Sequence, residues 1–347
     1  MLAAAGGYAE TLTRDNGLHA GACEYNAGVK FETENRRLSE FGITYPDAQV
    51  DLLGEGWALV TYTVTPTGTA ANIRVIDSLG DKSFVDHTID GVSRGRYEPA
   101  VVGGHAVERH DVHFDMAFRL DMNRGRGHRE FDEAFDVGHR LRKDGKNEEA
   151  VRAVRPYLKQ PLTLYEHVTL AHGLALAYTA MKDYRRALVQ IRHSTIAGEK
   201  LLTYGSRAYA LALLAELEAR NGNANNAVCA FETLKLKYKD FEPSPELLAL
   251  IGAANAVRAG TDPIRTEVEI VEADQEGSAS VWEHDLMRHG FRFGNVQGAA
   301  KYRLVCPLAL LEGDVREGAE QQLDPAKGNC YLEGSGAVGS KFILDEH

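Results

Sequence analysis

Alternating apolar and polar positions predict a compact α+β module over residues 41–121. Apolar side chains recur at every second position between Ala58 and Val64, the pattern of a strand with one buried face. A Pro-Thr-Gly turn that ends at Gly68 then predicts a hairpin with a second strand. Helical spacing follows over 83–92, and a long alternating strand runs from Glu108 to Leu120. The predicted order is helix, two strands, helix, strand, abbreviated αββαβ.

A charged, glycine-rich linker, residues 122–130, separates this module from a predicted helical region over 131–262. Ala150, Ala187 and Ala227 each follow a polar turn, at intervals of 37 and 40 residues, which is typical of helical-hairpin repeats. These segments resemble tetratricopeptide repeats, and "LALAYTAMKDYRRAL" matches best. The resemblance implies an α-solenoid whose concave face binds a peptide or another protein. An irregular helical bundle is the alternative.

Short strand patterns return over residues 263–347 and predict a small β-sandwich or barrel. Cys306 closes one strand-like segment and Cys330 opens another, so both could lie on neighbouring strands of one domain. We predict a disulfide between them. Cys229 lies at an apolar position of a predicted helix, and we expect it to be a free, buried thiol that is not bonded to Cys23.

The charge balance of the chain argues against a nucleic-acid partner. Its 347 residues include 50 acidic and 39 basic side chains, a formal charge of -11, whereas nonspecific nucleic-acid binding needs clustered lysine and arginine. The sequence has no run of roughly 18 apolar residues, so we predict no transmembrane segment. Residues 1–40 are predicted to be an N-terminal extension. Small residues at its start fit either the end of an export signal or an ordinary chain terminus.

The first module resembles the C-terminal domain of the TonB family of energy transducers. The matching features are Tyr45-Pro46, Gly56, Gly68, Asn72, Tyr97-Glu98-Pro99 and Gly104. The resemblance implies a periplasmic domain that binds a short extended segment of an outer-membrane receptor by strand addition. Transducers of that family also carry an N-terminal transmembrane helix and a long proline-rich spacer, and this sequence shows neither. We therefore expect a binding or scaffold role in place of energy transduction.

Candidate partner-binding residues lie on the last strand of the module and in the helical region. In the αββαβ order the last strand has one edge without a neighbour, and Asp111, His113 and Asp115 share its predicted solvent face. We expect these three residues to select the partner that is added at this edge. The alternative is an edge covered by the linker or by a second copy of the chain. Tyr178 and Tyr209 are the predicted groove contacts of the helical region.

The sequence predicts neither catalysis nor a cofactor. Too few histidine and aspartate side chains align on the last strand to predict a metal site, and no catalytic motif appears. The expected function is a periplasmic adaptor or scaffold that binds extended segments of envelope proteins, with an outer-membrane receptor as one such partner. A homodimer through the exposed edge is a second use of the same surface. A structural subunit of an envelope assembly, without peptide binding of its own, is the alternative.

Overall fold

The computed structural model describes residues 7–10, 29–33, 36–39, 41–120, 128–196, 201–270 and 281–347. Within these ranges the chain is an α+β protein with nine α-helices and four β-sheets. It has three parts: an N-terminal sheet with two helices, a region of seven helices, and a C-terminal pair of sheets. No helix in the described ranges is long and apolar enough to cross a membrane.

The N-terminal sheet contains four antiparallel strands in the order β1, β6, β2, β3. Their bounds are β1 (Gly7–Glu10), β2 (Gly56–Val64), β3 (Ala70–Leu79) and β6 (Arg109–Leu120). The helices are α1 (Asp47–Leu52) and α2 (Lys82–Arg94), and a small hairpin pairs β4 (Ala100–Val102) with β5 (His105–Val107). The predicted succession of helix, hairpin, helix and long strand is present. The β4–β5 hairpin and β1 were not predicted.

The helical region consists of consecutive helices that pack as pairs. The helices are α3 (Arg129–Lys143), α4 (Asn147–Val154), α5 (Leu164–Ala180), α6 (Tyr184–Ile196), α7 (Tyr204–Arg220), α8 (Ala224–Lys237) and α9 (Pro245–Ala259). Helices α3 and α4, α5 and α6, and α7 and α8 form the packed pairs. Ala150, Ala187 and Ala227 are all buried, as expected for small residues between closely packed helices. At Gly138 of α3, a Cβ would lie 2.7 Å from Val154 Cγ1, so α4 approaches too closely for a larger residue.

Both faces of the N-terminal sheet are buried. One face packs on α2 through a cluster that includes Val60, Phe84 and Phe118. The opposite face packs on α5 through a second cluster, which consists of Trp57, Leu59, Leu79, Ala117, Leu164 and Val168. All nine residues of β2 are buried as a result. The expectation of one buried face is therefore wrong, because alternation within the strand does not reveal the helix that covers its second face.

The C-terminal part consists of two four-stranded sheets around one core. The first sheet has the order β11 (Ala309–Asp314), β10 (Ala300–Cys306), β13 (Tyr331–Gly336), β8 (Val281–Asp285). The second has the order β12 (Glu320–Gln322), β9 (Gly290–Gln297), β14 (Lys341–Glu346), β7 (Ile264–Glu269). Phe291, Phe293 and Leu332 lie in the shared core. The sequence predicted either a β-sandwich or a barrel. Since the strands pair within two separate sheets, this part is a β-sandwich.

The predicted disulfide between Cys306 and Cys330 is confirmed. Their Cα atoms lie 4.3 Å apart, where Cys306 ends β10 and Cys330 directly precedes β13, its antiparallel neighbour. Cys229 is also disulfide-bonded and is only half-buried on α8, so the expectation of a free, buried thiol is wrong. No cysteine in the described part of the chain is free. Cys23, named in the same prediction, lies outside the described residues.

Candidate functional site

The candidate site is the edge of β6 that faces away from β2. Strand β2 pairs with β6 from Arg109 to Phe118 and occupies the other edge. Strand β1 pairs antiparallel with the last four residues of the candidate edge, from Gly7 opposite Leu120 to Glu10 opposite Ala117. The expectation of an open edge is therefore wrong for this segment. The covering strand comes from the N-terminal extension, whereas the alternative considered from the sequence was the linker or a second copy.

The β-sandwich contacts the beginning of the same strand. The backbone N–H of His110 donates to the carbonyl of Pro307 at 2.9 Å. The hydroxyl of Tyr331 donates to Asp111 Oδ1 at 2.7 Å. Burial first, and the neighbouring Asp111 carboxylate second, raise the pKa of the Tyr331 phenol well above its usual value, so the phenol stays protonated and donates. Strand β6 is thus contacted by other segments of the chain near both of its ends.

Asp111 lies at an irregularity in β6 that turns its side chain toward the sandwich. The pairing register with β2 shifts between Tyr62 and Val64, and Asp111 has a φ of 60°. Aspartate adopts this left-handed conformation more readily than most residues, and a β-bulge commonly redirects a side chain. The Asp111 carboxylate also accepts from Thr61 Oγ1 at 3.2 Å, and His113 Nε2 lies 3.3 Å from its Oδ1.

The face of β6 that carries Asp111, His113 and Asp115 is covered, and the expectation that it faces solvent is wrong. Asp115 is fully buried and accepts a hydrogen bond from Trp57 Nε1 at 3.3 Å, and His113 is also buried. The physical reason is that α5 and the β-sandwich pack over this face. The structure therefore brings the three residues together, but in an internal interface. Their role in partner selection stays a prediction, and it requires this interface to open.

Buried polar contacts fix the sheet against the helical region. The Glu55 carboxylate accepts the N–H of Leu120, at the end of β6, at 2.7 Å and the N–H of Leu164, at the start of α5, at 2.8 Å. Burial raises the pKa of Glu55, and these two backbone hydrogen bonds act in the opposite direction. A second contact is the hydrogen bond between His193 Nε2 of α6 and Asp77 Oδ1 of β3, at 2.7 Å.

The β-sandwich is tied to the sheet and to the helices by ion pairs and hydrogen bonds. Arg74 of β3 forms a bidentate ion pair with Glu333 of β13, in which each terminal guanidinium nitrogen donates to one carboxylate oxygen. Arg192 of α6 bonds Glu218 at 2.8 Å and lies 3.4 Å from Glu283 of β8. Each of the three parts therefore contacts the other two. These partners lie far apart in the sequence and follow no short motif, which is why sequence reasoning missed them.

The structure separates the two tyrosines predicted to share a groove. Tyr178 is only 3% exposed and lies within the helical core, with the Arg186 guanidinium 4.7 Å from its ring centre. It is therefore not on a surface that a partner could reach. Tyr209 of α7 is 68% exposed, and its ring packs edge-on against Phe241 at 5.3 Å between centroids. Tyr209 remains a candidate contact.

Two observations concern metal or small-molecule binding by the described residues. They contain no group of three or more histidine, cysteine, aspartate or glutamate side chains placed to hold a metal ion. A cavity of about 490 Å³ lies between β3 and the sandwich, and the side chains that line it include Arg74, Arg303, Glu312 and Glu333. Both arginines are already paired with these carboxylates, so the positive charge in the cavity is largely neutralised.

Comparison with known families supports the resemblance of the first module. Residues 42–120 match the family described as the Gram-negative bacterial TonB protein C-terminal. No curated protein matches the chain. The fold and the match together define an α+β protein that carries a TonB-type C-terminal domain, which suggests a TonB-like envelope protein. The match does not extend to the helical region, whose tetratricopeptide assignment stays a prediction.

Proposed function

We propose that the chain is a periplasmic adaptor that binds extended segments of other envelope proteins by strand addition at the β6 edge. The observation that carries this proposal is the pairing of β1 with β6, because it puts a separate, short, extended segment on the edge in question. Strand addition draws its affinity from backbone hydrogen bonds, so the edge accepts many different sequences. The family match over residues 42–120 supports an envelope location. The proposal assigns no catalytic step to the chain and no nucleic-acid partner.

The helical region supplies the second proposed contact surface. Tyr209 is the most exposed aromatic side chain of this region, and Leu248 of α9 is half-exposed. Aromatic side chains that are exposed on a rigid helix provide contact area at a low cost in conformational entropy, which favours protein binding. We expect this surface to bind a polypeptide segment, in keeping with the tetratricopeptide-like pattern of the helices.

A structural subunit of an envelope assembly is the second candidate. It is favoured by the burial of both faces of the N-terminal sheet and by the ties that join all three parts. In this alternative the TonB-type module stabilises the chain and binds no peptide. The two candidates differ in which surface contacts other proteins.

Site-specific photocrosslinking separates these candidates. A photoreactive benzoylphenylalanine would replace Arg119 on β6, Tyr209 on α7, or Val338 in the exposed turn between β13 and β14, which serves as the control position. Each variant would be expressed in a Gram-negative host and irradiated in intact cells, and crosslinked peptides would be mapped by mass spectrometry. We expect Arg119 to crosslink an extended segment of an envelope protein, Tyr209 to crosslink a polypeptide, and Val338 to crosslink neither.

Two results would contradict the proposal. Crosslinks to several envelope proteins from Val338, with none from Arg119, would favour the structural subunit. Crosslinks from Arg119 only to residues of the same chain would leave the edge without an external partner. A crosslink between two copies of the chain would identify a homodimer as the occupant of the edge.

A further inference from the structure

Strand β1 covers the edge at which the proposed strand addition would occur. It pairs with Ala117–Leu120, the last four residues of β6. At the other end of this edge, the N–H of His110 is held by the carbonyl of Pro307. An added strand therefore cannot use the N–H of His110, and β1 already occupies the last four residues of the edge.

We propose that Gly7–Glu10 is a built-in competitor that keeps the β6 edge closed until a partner segment displaces it. This inference rests on the proposed function of the edge and adds its regulation. A strand of four residues makes few backbone hydrogen bonds, so a segment that binds Ala117–Leu120 more tightly can replace it. We therefore expect β1 to exclude weakly binding segments and to be displaced by a partner that binds this edge more tightly.

The competitor is effective because it belongs to the same chain. A segment of the same chain acts at an effective concentration that is set by the reach of the connecting residues and is about millimolar when that reach matches the distance spanned. A free segment then binds only the fraction of molecules in which the edge is open, and its apparent affinity falls by that fraction. Weakening β1 should therefore raise the affinity for a free strand at least about tenfold, without any new contact.

The test uses the full chain and a peptide copied from its own sequence. The variant carries Tyr8→Pro and Ala9→Pro, because alternate residues of β1 point their N–H at β6 and two successive prolines therefore remove one of these two donors, whichever residues hold them. A control chain carries the same two prolines at Ala3 and Ala4, ahead of β1. The probe is a fluorescent peptide with the sequence AAGGYAETLT, residues 4–13, and its control is the same peptide with prolines at positions 8 and 9.

We expect the probe to bind the Tyr8→Pro/Ala9→Pro chain at least about tenfold more tightly than the unmodified chain or the control chain. The proline-containing probe should bind none of them. Amide hydrogen exchange at Ala117–Leu120 should accelerate in the variant and slow again when the probe is added. Circular dichroism would verify that the three chains have the same secondary structure.

Several results would overturn the inference. Equal probe affinity for all three chains would mean that β1 does not close the edge, and so would unchanged exchange at Ala117–Leu120. Absence of probe binding to the variant up to about 1 mM would mean that this edge accepts no separate strand. An unmodified chain that is dimeric and becomes monomeric with the two prolines would mean that β1 pairs between copies. This test uses no envelope partner. Tighter probe binding to the variant, together with no crosslink from Arg119 to another protein, would therefore support the role of β1 and reject the proposed function.

Discussion

The hydroxyl of Tyr331 donates a hydrogen bond of 2.7 Å to the carboxylate of Asp111, although 220 residues separate the two in the sequence. This bond joins the β-sandwich to the last strand of the TonB-type module. Asp111 was predicted to face solvent and to select a partner. Instead its carboxylate lies in an interface between two parts of the same chain, so access to that face depends on how firmly the sandwich is held.

The first prediction concerns the strength of this bond. Tyr331→Phe should lower the free energy of unfolding by about 1–3 kcal/mol, because it removes a buried hydrogen bond to a charged acceptor. Asp111→Asn keeps a residue that tolerates the left-handed backbone and removes the charge. Denaturant unfolding of both single variants and the double variant measures the coupling. Since asparagine keeps an acceptor oxygen, additive effects would mean that the charge of Asp111 does not strengthen the bond to Tyr331.

The second prediction concerns the apolar contact between the sheet and α5. Leu164→Ala should lower the free energy of unfolding by about 2–5 kcal/mol, because Leu164 is fully buried between Trp57 and the helices and the substitution leaves a cavity. Leu236→Ala is the matched control, since Leu236 of α8 is 71% exposed and its loss should change stability by less than about 0.5 kcal/mol. Equal effects of the two substitutions would contradict the packing described for the sheet.

The third prediction concerns pH. Burial is the main reason why the pKa of His167 falls from 6.5 to about 4, and the nearby Glu166 and His193 act in opposite directions. Between pH 6.5 and pH 4 the unfolded chain therefore binds a proton at His167 while the folded chain does not. The stability that neutral His167 contributes to the folded chain is lost as the pH falls through that window. By pH 5 the loss should reach about 2 kcal/mol.

His167→Gln tests this contribution, with His139→Gln at an exposed position as the control. Urea unfolding at pH 7 and pH 5 would give the pH-dependent loss of stability for each chain. We expect that loss to be smaller in His167→Gln than in the unmodified chain and unchanged in His139→Gln. The same loss in all three chains would show that His167 does not titrate as proposed.

The fourth prediction concerns the disulfides. Replacement of Cys306 and Cys330 by alanine should destabilise the β-sandwich by about 3 kcal/mol, because the bond closes a loop with a sequence separation of 24 residues. A peptide map without reductant should also find Cys229 in a disulfide-linked peptide. An alkylated Cys229 in that map would contradict the structure.

The succession of α1, β2, β3, α2 and β6 in the TonB-type module could be predicted from the sequence, because each element has a local residue pattern. Alternation in β2 and β6, the turn at Gly68 and the helical spacing of α2 each arise within a short segment. The same local patterns identified the helices of the middle region and the strands of the sandwich. The cysteine pair was predictable because both residues border strand-like segments of one small region.

The packing of the three parts could not be predicted, because it depends on residues that are distant in the sequence. Asp115 alternates with apolar neighbours as a solvent-facing residue would, but it is buried beside Trp57, on which α5 packs. Tyr178 and Tyr209 both lie on helices, yet one ring is buried and the other is exposed. A residue pattern indicates which positions share a face of an element but not what packs against that face.

The central claim is that a partner segment replaces β1 on β6. The most direct measurement is amide hydrogen exchange of the full chain, free and in complex with an envelope partner captured through Arg119. We predict that exchange at Ala117–Leu120 stays slow in the complex, because a new strand pairs there, while exchange at Gly7–Glu10 becomes faster. A bound partner that leaves exchange at Gly7–Glu10 unchanged would contradict the claim.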